Sequence, residues 1–232
     1  MRVNAVIVAA GEGRRMGGKI SKPFLPLGGR PLILHTLSRF AASHTVRKVI
    51  LVTPQKEVSK CQELIRSEPQ IQRLECLLRG GGLRRQDSVK LGLEKLDDDC
   101  EVVVIHDGVR PFVSSRLIDR CVEAASKEGA VVVGVPVRDT IKVVSPDRRV
   151  RETPSRDSLW EIQTPQVFRA GIIREAYRMA RRDGVEATDD SMLVELLGKS
   201  VALLEGERTN IKITVPEDLL LAEALLREGK VP

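Results

Sequence analysis

A layered α/β fold on a mostly parallel central sheet, with one projecting β-arm, is what this 232-residue sequence predicts. Three observations predict it. Short, almost wholly apolar runs recur at residues 3–10, 46–52, 101–105 and 130–135, as expected of strands buried on both faces. Amphipathic stretches with capping residues alternate with them, the rhythm of right-handed β-α-β crossovers. That rhythm breaks after Pro136, where residues 137–151 mix β-branched side chains with Asp139, Pro146, Asp147 and four arginines.

Taken in order, residues 3–10 form the first strand and run into glycines. Pro31 can open the first helix, because its missing N–H is not needed there, and Leu32, Leu34, Leu37, Phe40 and Ala41 supply an apolar stripe. Residues 46–52 are the next strand, after which Thr53 and Pro54 read as cap and first turn of a helix reaching about Arg66. Residues 71–78 are strand-like with a less clean alternation, 88–96 helical and 101–105 a buried strand. Ser114 or Ser115 caps a helix that Gly129 stops, and residues 130–135 are again a strand. Beyond the arm, 171–182 and 189–197 read as helices and 201–204 and 210–213 as short strands. Pro216 opens a last helix ended by Gly229.

No internal repeat divides the chain, and its length suits one large domain, residues 1–232, with 136–156 projecting from it. A chain this long hides roughly 70% of its unfolded surface around one core. Ile141, Val143, Val144 and Val150 in the arm need a burial partner. A hairpin laid on a second copy, making a homodimer through residues 136–156, is expected; an edge hairpin on the same chain is the alternative.

Composition narrows the class. Four cysteines without a C-x-x-C pair and only three histidines suggest neither a disulfide framework nor a zinc cluster. No apolar run approaches a membrane span and the N-terminus lacks the layered build of a signal peptide, so a soluble cytoplasmic protein is expected. The formal charge is +6, and the first 30 residues hold six cations against Glu12 alone. That block coincides with a glycine loop instead of a basic face interleaved with aromatics, which are 3% of the chain; a small polyanion fits better than nucleic acid.

The loop at residues 9–19, Ala9-Ala10-Gly11-Glu12-Gly13-Arg14-Arg15-Met16-Gly17-Gly18-Lys19, leaves the first strand where open α/β sheets bind ligands. Successive amides there can ring an anion, and glycines let the backbone approach it. Gly13, Gly18 and Lys19 match a Walker loop up to the lysine, but Ile20 stands where a Ser or Thr should hold magnesium. The dinucleotide fingerprint fails too, since Gly17 comes one residue late and no acid follows near residues 30–33. A long basic loop through Lys22 that can wrap a triphosphate is left.

His106-Asp107-Gly108-Val109-Arg110-Pro111 follows another strand and brings Asp107 to the same end of the sheet, placed to hold a hard cation bridging phosphates. Arg110 could bind an anion, while His106 reads as a packed, hydrogen-bonded residue. Gly81, Gly82 and Ser88, with Arg85 between, suit a base or ribose, or an ordinary helix entry. Arg138 to Thr140, Arg156, Gln163 to Gln166, Thr188 to Asp190 and Asn210 to Thr214 are scattered polar groups beside strand ends or helix starts. Capping is the favoured role for Asp189 and Asp190.

These elements resemble, in order and over essentially the whole chain, the 2-C-methyl-D-erythritol 4-phosphate cytidylyltransferases of the non-mevalonate isoprenoid pathway. The resemblance implies a three-layer Rossmann-like nucleotidyltransferase fold. It implies transfer of a cytidylyl group from CTP to methylerythritol phosphate, with Mg2+ as cofactor. By that resemblance Arg15, Lys22 and Lys212 are the catalytic cations and Asp107 holds the metal. The backbone of Ala9, Ala10, Gly11 and Gly13, with Gly82, Asp87 and Ser88, would bind the nucleotide. Arg110, Thr140, Arg156, Thr188 and Lys212 would bind the acceptor, with Thr140 and Arg156 reaching the partner's site through the dimer arm. Where the family usually has Pro-Lys-Gln around its loop lysine, this chain has Ser21-Lys22-Pro23, which moves the loop's rigidity to the other side of the lysine. A ribitol 5-phosphate cytidylyltransferase and a non-catalytic nucleotide-binding regulator are the competing readings.

Overall fold

The computed structural model describes residues 1–11 and 21–232. In chain order the elements are β1 (Val3–Val8), the hairpin β2 (Pro26–Leu27) and β3 (Arg30–Pro31), α1 (Leu32–Ala42), β4 (Lys48–Thr53), α2 (Val58–Arg66), β5 (Glu75–Gly80) and α3 (Arg85–Leu93). Next come β6 (Val102–Asp107), α4 (Ser115–Glu128), β7 (Ala130–Pro136), β8 (Val143–Val144), β9 (Val150–Glu152) and β10 (Trp160–Arg169). The chain finishes with α5 (Ala170–Asp183), α6 (Asp190–Leu196), β11 (Ala202–Glu205) and α7 (Pro216–Arg227).

Seven strands form the central sheet in the order β11-β7-β10-β6-β1-β4-β5. Among the described strands of this sheet β10 alone runs antiparallel, between β6 and β7. Alternate side chains of one strand feed opposite cores, as the strand period of two requires. Ala5 and Ile7 pack with α1, α2 and α4 on one face, while Val6 packs with α3, α5 and α6 on the other. That is the predicted three-layer arrangement. A third, smaller core of Leu27, Leu32, Phe112, Ile213 and Ala222 ties α7 to the β2-β3 hairpin and carries the C-terminal segment across the sheet's end.

Local signals explain both ends of α4 and the start of α6. Ser114 Oγ accepts from the Leu117 amide at 3.0 Å at the start of α4, and Gly129, at φ +91°, ends it by donating to the Ala125 carbonyl. Asp189 caps α6 through the Met192 amide, 2.9 Å.

Four expectations change. Thr53 belongs to β4, so the helix signal there starts a short 3-10 turn, Gln55–Glu57, ahead of α2. The strand expected at 71–78 lies at Glu75–Gly80, because Pro69–Ile71 forms a 3-10 turn that buries Ile71. Residues 210–213 form no strand; the Asn210 carbonyl accepts from Arg110 Nη1 and the Ile213 amide donates to the Val109 carbonyl. The ten-residue β10 was not expected at all, since Gln163, Thr164, Pro165 and Gln166 make its middle polar. Its ladder shifts register between Gln163 and Gln166, and those polar side chains bond to neighbouring elements instead of facing water.

The arm is present as the antiparallel pair β8 and β9, outside the central sheet. Val144 and Val150 remain 56% and 59% exposed, so the arm's own chain gives them little cover. No helix among the described residues is long and apolar enough to cross a membrane.

Candidate active site

β1 and β6 lie side by side, Val8 opposite Asp107, and the chain leaves them toward opposite flanks of the sheet. Their carboxyl ends therefore form a topological switch point, the crevice where open α/β sheets take ligands. A cleft of about 260 Å³ opens there. One wall is the turn after β1, Ala9 to Gly11; another is the Gly82 to Ser88 turn; Lys22, Asp107, Lys212 and Thr214 close the remainder.

The two turns meet closely. A Cβ on Gly81 would lie 2.2 Å from the Ala10 Cβ, so only glycine lets the loops approach this far. Ser88, buried at the start of α3, accepts from the Gly82 amide at 3.1 Å and donates to the Arg84 carbonyl at 3.2 Å. Leu83, at the lip, is fully exposed.

Three cations surround one carboxylate. Asp107 Oδ1 lies 2.9 Å from Arg85 Nε, and Oδ2 lies 2.8 Å from Lys212 Nζ and 3.8 Å from Arg110 Nε. Burial would raise the Asp107 carboxyl, but Arg85, Lys212 and Arg110 outweigh it and hold the group well below the usual carboxylate range. Lys22 begins a proline-containing 3-10 turn and donates from Nζ to the Thr214 carbonyl at 2.7 Å. Asp218, at the start of α7, accepts from the Thr214 and Val215 amides and so fixes the segment that carries Lys212.

Behind Asp107 sits a neutral hydrogen-bonded chain. The Arg110 carbonyl can only accept, so His106 Nε2, 3.1 Å away, carries the proton. Nδ1 then accepts from the Thr164 hydroxyl at 3.0 Å, whose oxygen accepts the Asp107 amide. Burial lowers the His106 pKa to about 4. The packed, hydrogen-bonded reading of His106 holds.

Lys22, Lys212, Asp107, Ala9, Ala10, Gly11, Gly82 and Ser88 thus line one cleft. Arg110 is buried just behind it, against Asp107 and Asn210. Other predicted residues lie elsewhere. Asp87 faces Arg84, whose amide and guanidinium it accepts, on a neighbouring cavity beside Tyr177 and Arg181. Thr188 is exposed ahead of α6, its hydroxyl 3.7 Å from Met192 Sδ. Thr140 and Arg156 are exposed at the arm, and Arg156 donates to the Arg138 carbonyl. Arg15 and Gly13 lie outside the described residues. The sequence named Arg85 only within a base- or ribose-binding turn and Asp190 only as a capping residue; the structure leaves the cap to Asp189 and pairs the Asp190 carboxylate with Arg85 at 2.8 Å, joining α3 to α6. Thr164 and Asn210 were seen only as polar residues, without the bonds they make here.

Among the described residues no three His, Cys, Asp or Glu side chains make an all-protein metal site. Asp107, the one carboxylate lining the cleft among the described residues, fits a magnesium ion that takes most of its ligands from phosphates and water.

A glycine-lined turn and a cationic cleft at the switch point of such a sheet define a nucleotidyltransferase of the α/β class. The model of the 2-C-methyl-D-erythritol 4-phosphate cytidylyltransferase family matches residues 3–228, and the chain belongs to that family. It is 43% identical to the enzyme of that name from Alkaliphilus metalliredigens, over 99% of this chain and 95% of the other. With the one from Geotalea uraniireducens it shares 44% identity, over 98% and 97%. Among solved structures, the 4-diphosphocytidyl-2C-methyl-D-erythritol synthase from Anaerococcus prevotii superposes with a TM-score of 0.87 at 32% identity, covering 97% of this chain and 96% of the other. The 2-C-methyl-D-erythritol 4-phosphate cytidylyltransferase from Thermus thermophilus gives 0.79 at 40% identity, covering 98% and 100%.

Proposed function

We propose that this protein transfers the cytidylyl group of CTP to 2-C-methyl-D-erythritol 4-phosphate in the cytoplasm. The products are 4-diphosphocytidyl-2-C-methyl-D-erythritol and pyrophosphate, a step of isoprenoid precursor synthesis. The observation that carries this reading is the convergence of Lys22 and Lys212 with Asp107 at the β1/β6 switch point, in a chain of this family.

The reaction brings an acceptor phosphate oxygen to the α-phosphorus of CTP, and two anions must approach. Unit charges 4 Å apart interact by about 4 kcal/mol at an effective dielectric near 20, so cations and alignment are the main requirement. Lys22 and Lys212, with Arg15, supply charge where it accumulates at the α-phosphate. The Ala9, Ala10, Gly11 and Gly13 backbone wraps the phosphates, Gly82 and Ser88 hold the base, and Asp87 supports that turn. Asp107 holds the magnesium ion, which when bound neutralises phosphate charge. Arg110, Thr140, Arg156, Thr188 and Lys212 receive the acceptor phosphate. In a homodimer the exposed arm, residues 136–156, would bring Thr140 and Arg156 of this set to the partner's cleft.

The test supplies CTP, Mg2+ and methylerythritol phosphate and follows pyrophosphate release and product mass, with ribitol 5-phosphate as parallel acceptor. Turnover with methylerythritol phosphate is expected. Preference for ribitol 5-phosphate, or CTP binding without turnover, would overturn the assignment.

A further inference from the structure

Arg85 lies between two buried carboxylates that come from different elements. Its Nε is 2.9 Å from Asp107 Oδ1 at the end of β6, and its Nη1 is 2.8 Å from Asp190 Oδ2 at the start of α6. The Asp107 and Asp190 side chains are 8% and 1% exposed. Asp190 is anchored on its far side, where Oδ1 accepts the Tyr177 hydroxyl at 2.5 Å and the backbone amide donates to Gln166 Oε1 at 3.1 Å. Its Oδ2 is buried and accepts no directed hydrogen bond, so the charge of Arg85 offsets that oxygen's loss of water. A planar guanidinium can address two carboxylates from different edges, which an ammonium cannot do with the same geometry.

The two oxygens of Asp107 are therefore held unequally. Oδ1 faces Arg85, which is fixed from behind. Oδ2 is bonded at 2.8 Å by Lys212, whose side chain is 39% exposed and has water to move into, with the buried Arg110 Nε further off at 3.8 Å.

We propose that Arg85, clamped by Asp190, is a positioning residue that fixes Asp107 Oδ1 and leaves Oδ2 as the exchangeable oxygen, with Lys212 its resident counterion. With CTP bound, Lys212 would leave Oδ2 for a phosphate, and Oδ2 would then be the oxygen that holds magnesium. One ion pair then opens as two new contacts form, and no buried carboxylate is left uncompensated at any stage. Asp190 acts only through Arg85 and touches neither substrate nor metal. This inference rests on the cytidylyltransferase reading of the same cleft.

The experiment is calorimetric titration of CTP against Mg2+ concentration without acceptor, beside steady-state kinetics, on wild type, Asp190→Asn and Tyr177→Phe. In Asp190→Asn the Mg2+ concentration for half-maximal CTP binding should rise about tenfold, as when the outer partner of a metal-holding group is lost. Its kcat should fall while KM for methylerythritol phosphate stays within about twofold, a split that general loosening would not give. Tyr177→Phe keeps the charge and loosens only the anchor; it should shift the Mg2+ curve about threefold in the same direction, which keeps the test open if Asp190→Asn does not fold. Mg2+ curves that superimpose on wild type in a folded variant would overturn the inference, as would an equal rise in acceptor KM. Wild-type protein that neither binds CTP nor turns over would overturn the cytidylyltransferase reading instead.

Discussion

At the residue scale, His106 carries a thermodynamic signature of its burial. Its pKa is about 4 in the folded protein against 6.5 for the free side chain. Between those values the unfolded chain binds a proton that the folded chain refuses, so stability must fall as pH is lowered from about 6.5 to about 4. The full effect is about 3 kcal/mol at 1.36 kcal/mol per unit. Denaturant titrations at a series of pH values should show that slope, and His106→Gln, which keeps an amide donor for the Arg110 carbonyl, should flatten it. An unchanged slope would remove His106 as its source. Lys22→Ala should lower kcat/KM by at least about a hundredfold with little loss of fold, because the cation matters most when charge gathers on the α-phosphate. Kinetics equal to wild type would take Lys22 out of the reaction. Lys22 and Asp107 were legible because each is a charged residue beside a glycine turn or strand end, whereas Lys212 was assigned only through the family resemblance. The clamp on Arg85 was not legible: the turn that holds it could be read, but its partners lie 22 residues ahead in β6 and in the distant α6, and nothing local announces either pairing.

At the scale of elements, α3 presents both Ser88 and Arg85 to the cleft, so its seat on the sheet matters. Gly92 sets that seat. A Cβ there would lie 2.4 Å from Val6 Cγ1 and 3.3 Å from Val52 Cγ2, both in packed strands. Gly92→Ala gains about 1 kcal/mol of helix propensity, but overpacking costs about 1–3 kcal/mol, so the crowding should prevail. A Tm lowered by a few degrees, together with a raised KM for CTP as α3 lifts, is the expected outcome. A Tm above wild type would show that the helix yields freely. Element legibility followed local chemistry. Ser114 and Gly129 announced both ends of α4, and the apolar runs announced β1, β6 and β7. β10 escaped because its polar centre is satisfied only by tertiary partners: Gln166 donates to Asp189, and Gln163 accepts from Asn210. Residues 210–213 were misread for the converse reason, since their β-like apolar alternation serves the small core under α7 instead of a ladder.

For the whole molecule, an arm that crosses to a second copy would make each site composite, with the protein serving as an electrostatic template. Covering even 300 Å² of apolar arm surface on a second copy contributes about 7 kcal/mol at 25 cal/mol per Å², before ordering costs. Monomers should be scarce in sedimentation. Arg156→Ala should raise KM for the acceptor and leave CTP binding nearly intact, because its fork of donors would serve the acceptor phosphate. Mixing it with Lys22→Ala subunits under exchange should restore activity, since one site of the heterodimer inherits both defects and the other neither. Activity no higher than the sum of the parents, with exchange verified by mass, would confine Arg156 to its own subunit. The arm and the cationic cleft were legible from side-chain patterning and charge placement; which cleft each arm residue would serve depends on a partner surface that no single-chain pattern encodes. The central claim is direct displacement on a charged template with no covalent enzyme intermediate. Its sharpest test is the stereochemical course at phosphorus with a single diastereomer of the α-thio analogue of CTP, read by phosphorus NMR of the cytidylyl product. Inversion is the predicted result, and retention, which requires a second displacement through an enzyme nucleophile, would contradict the account.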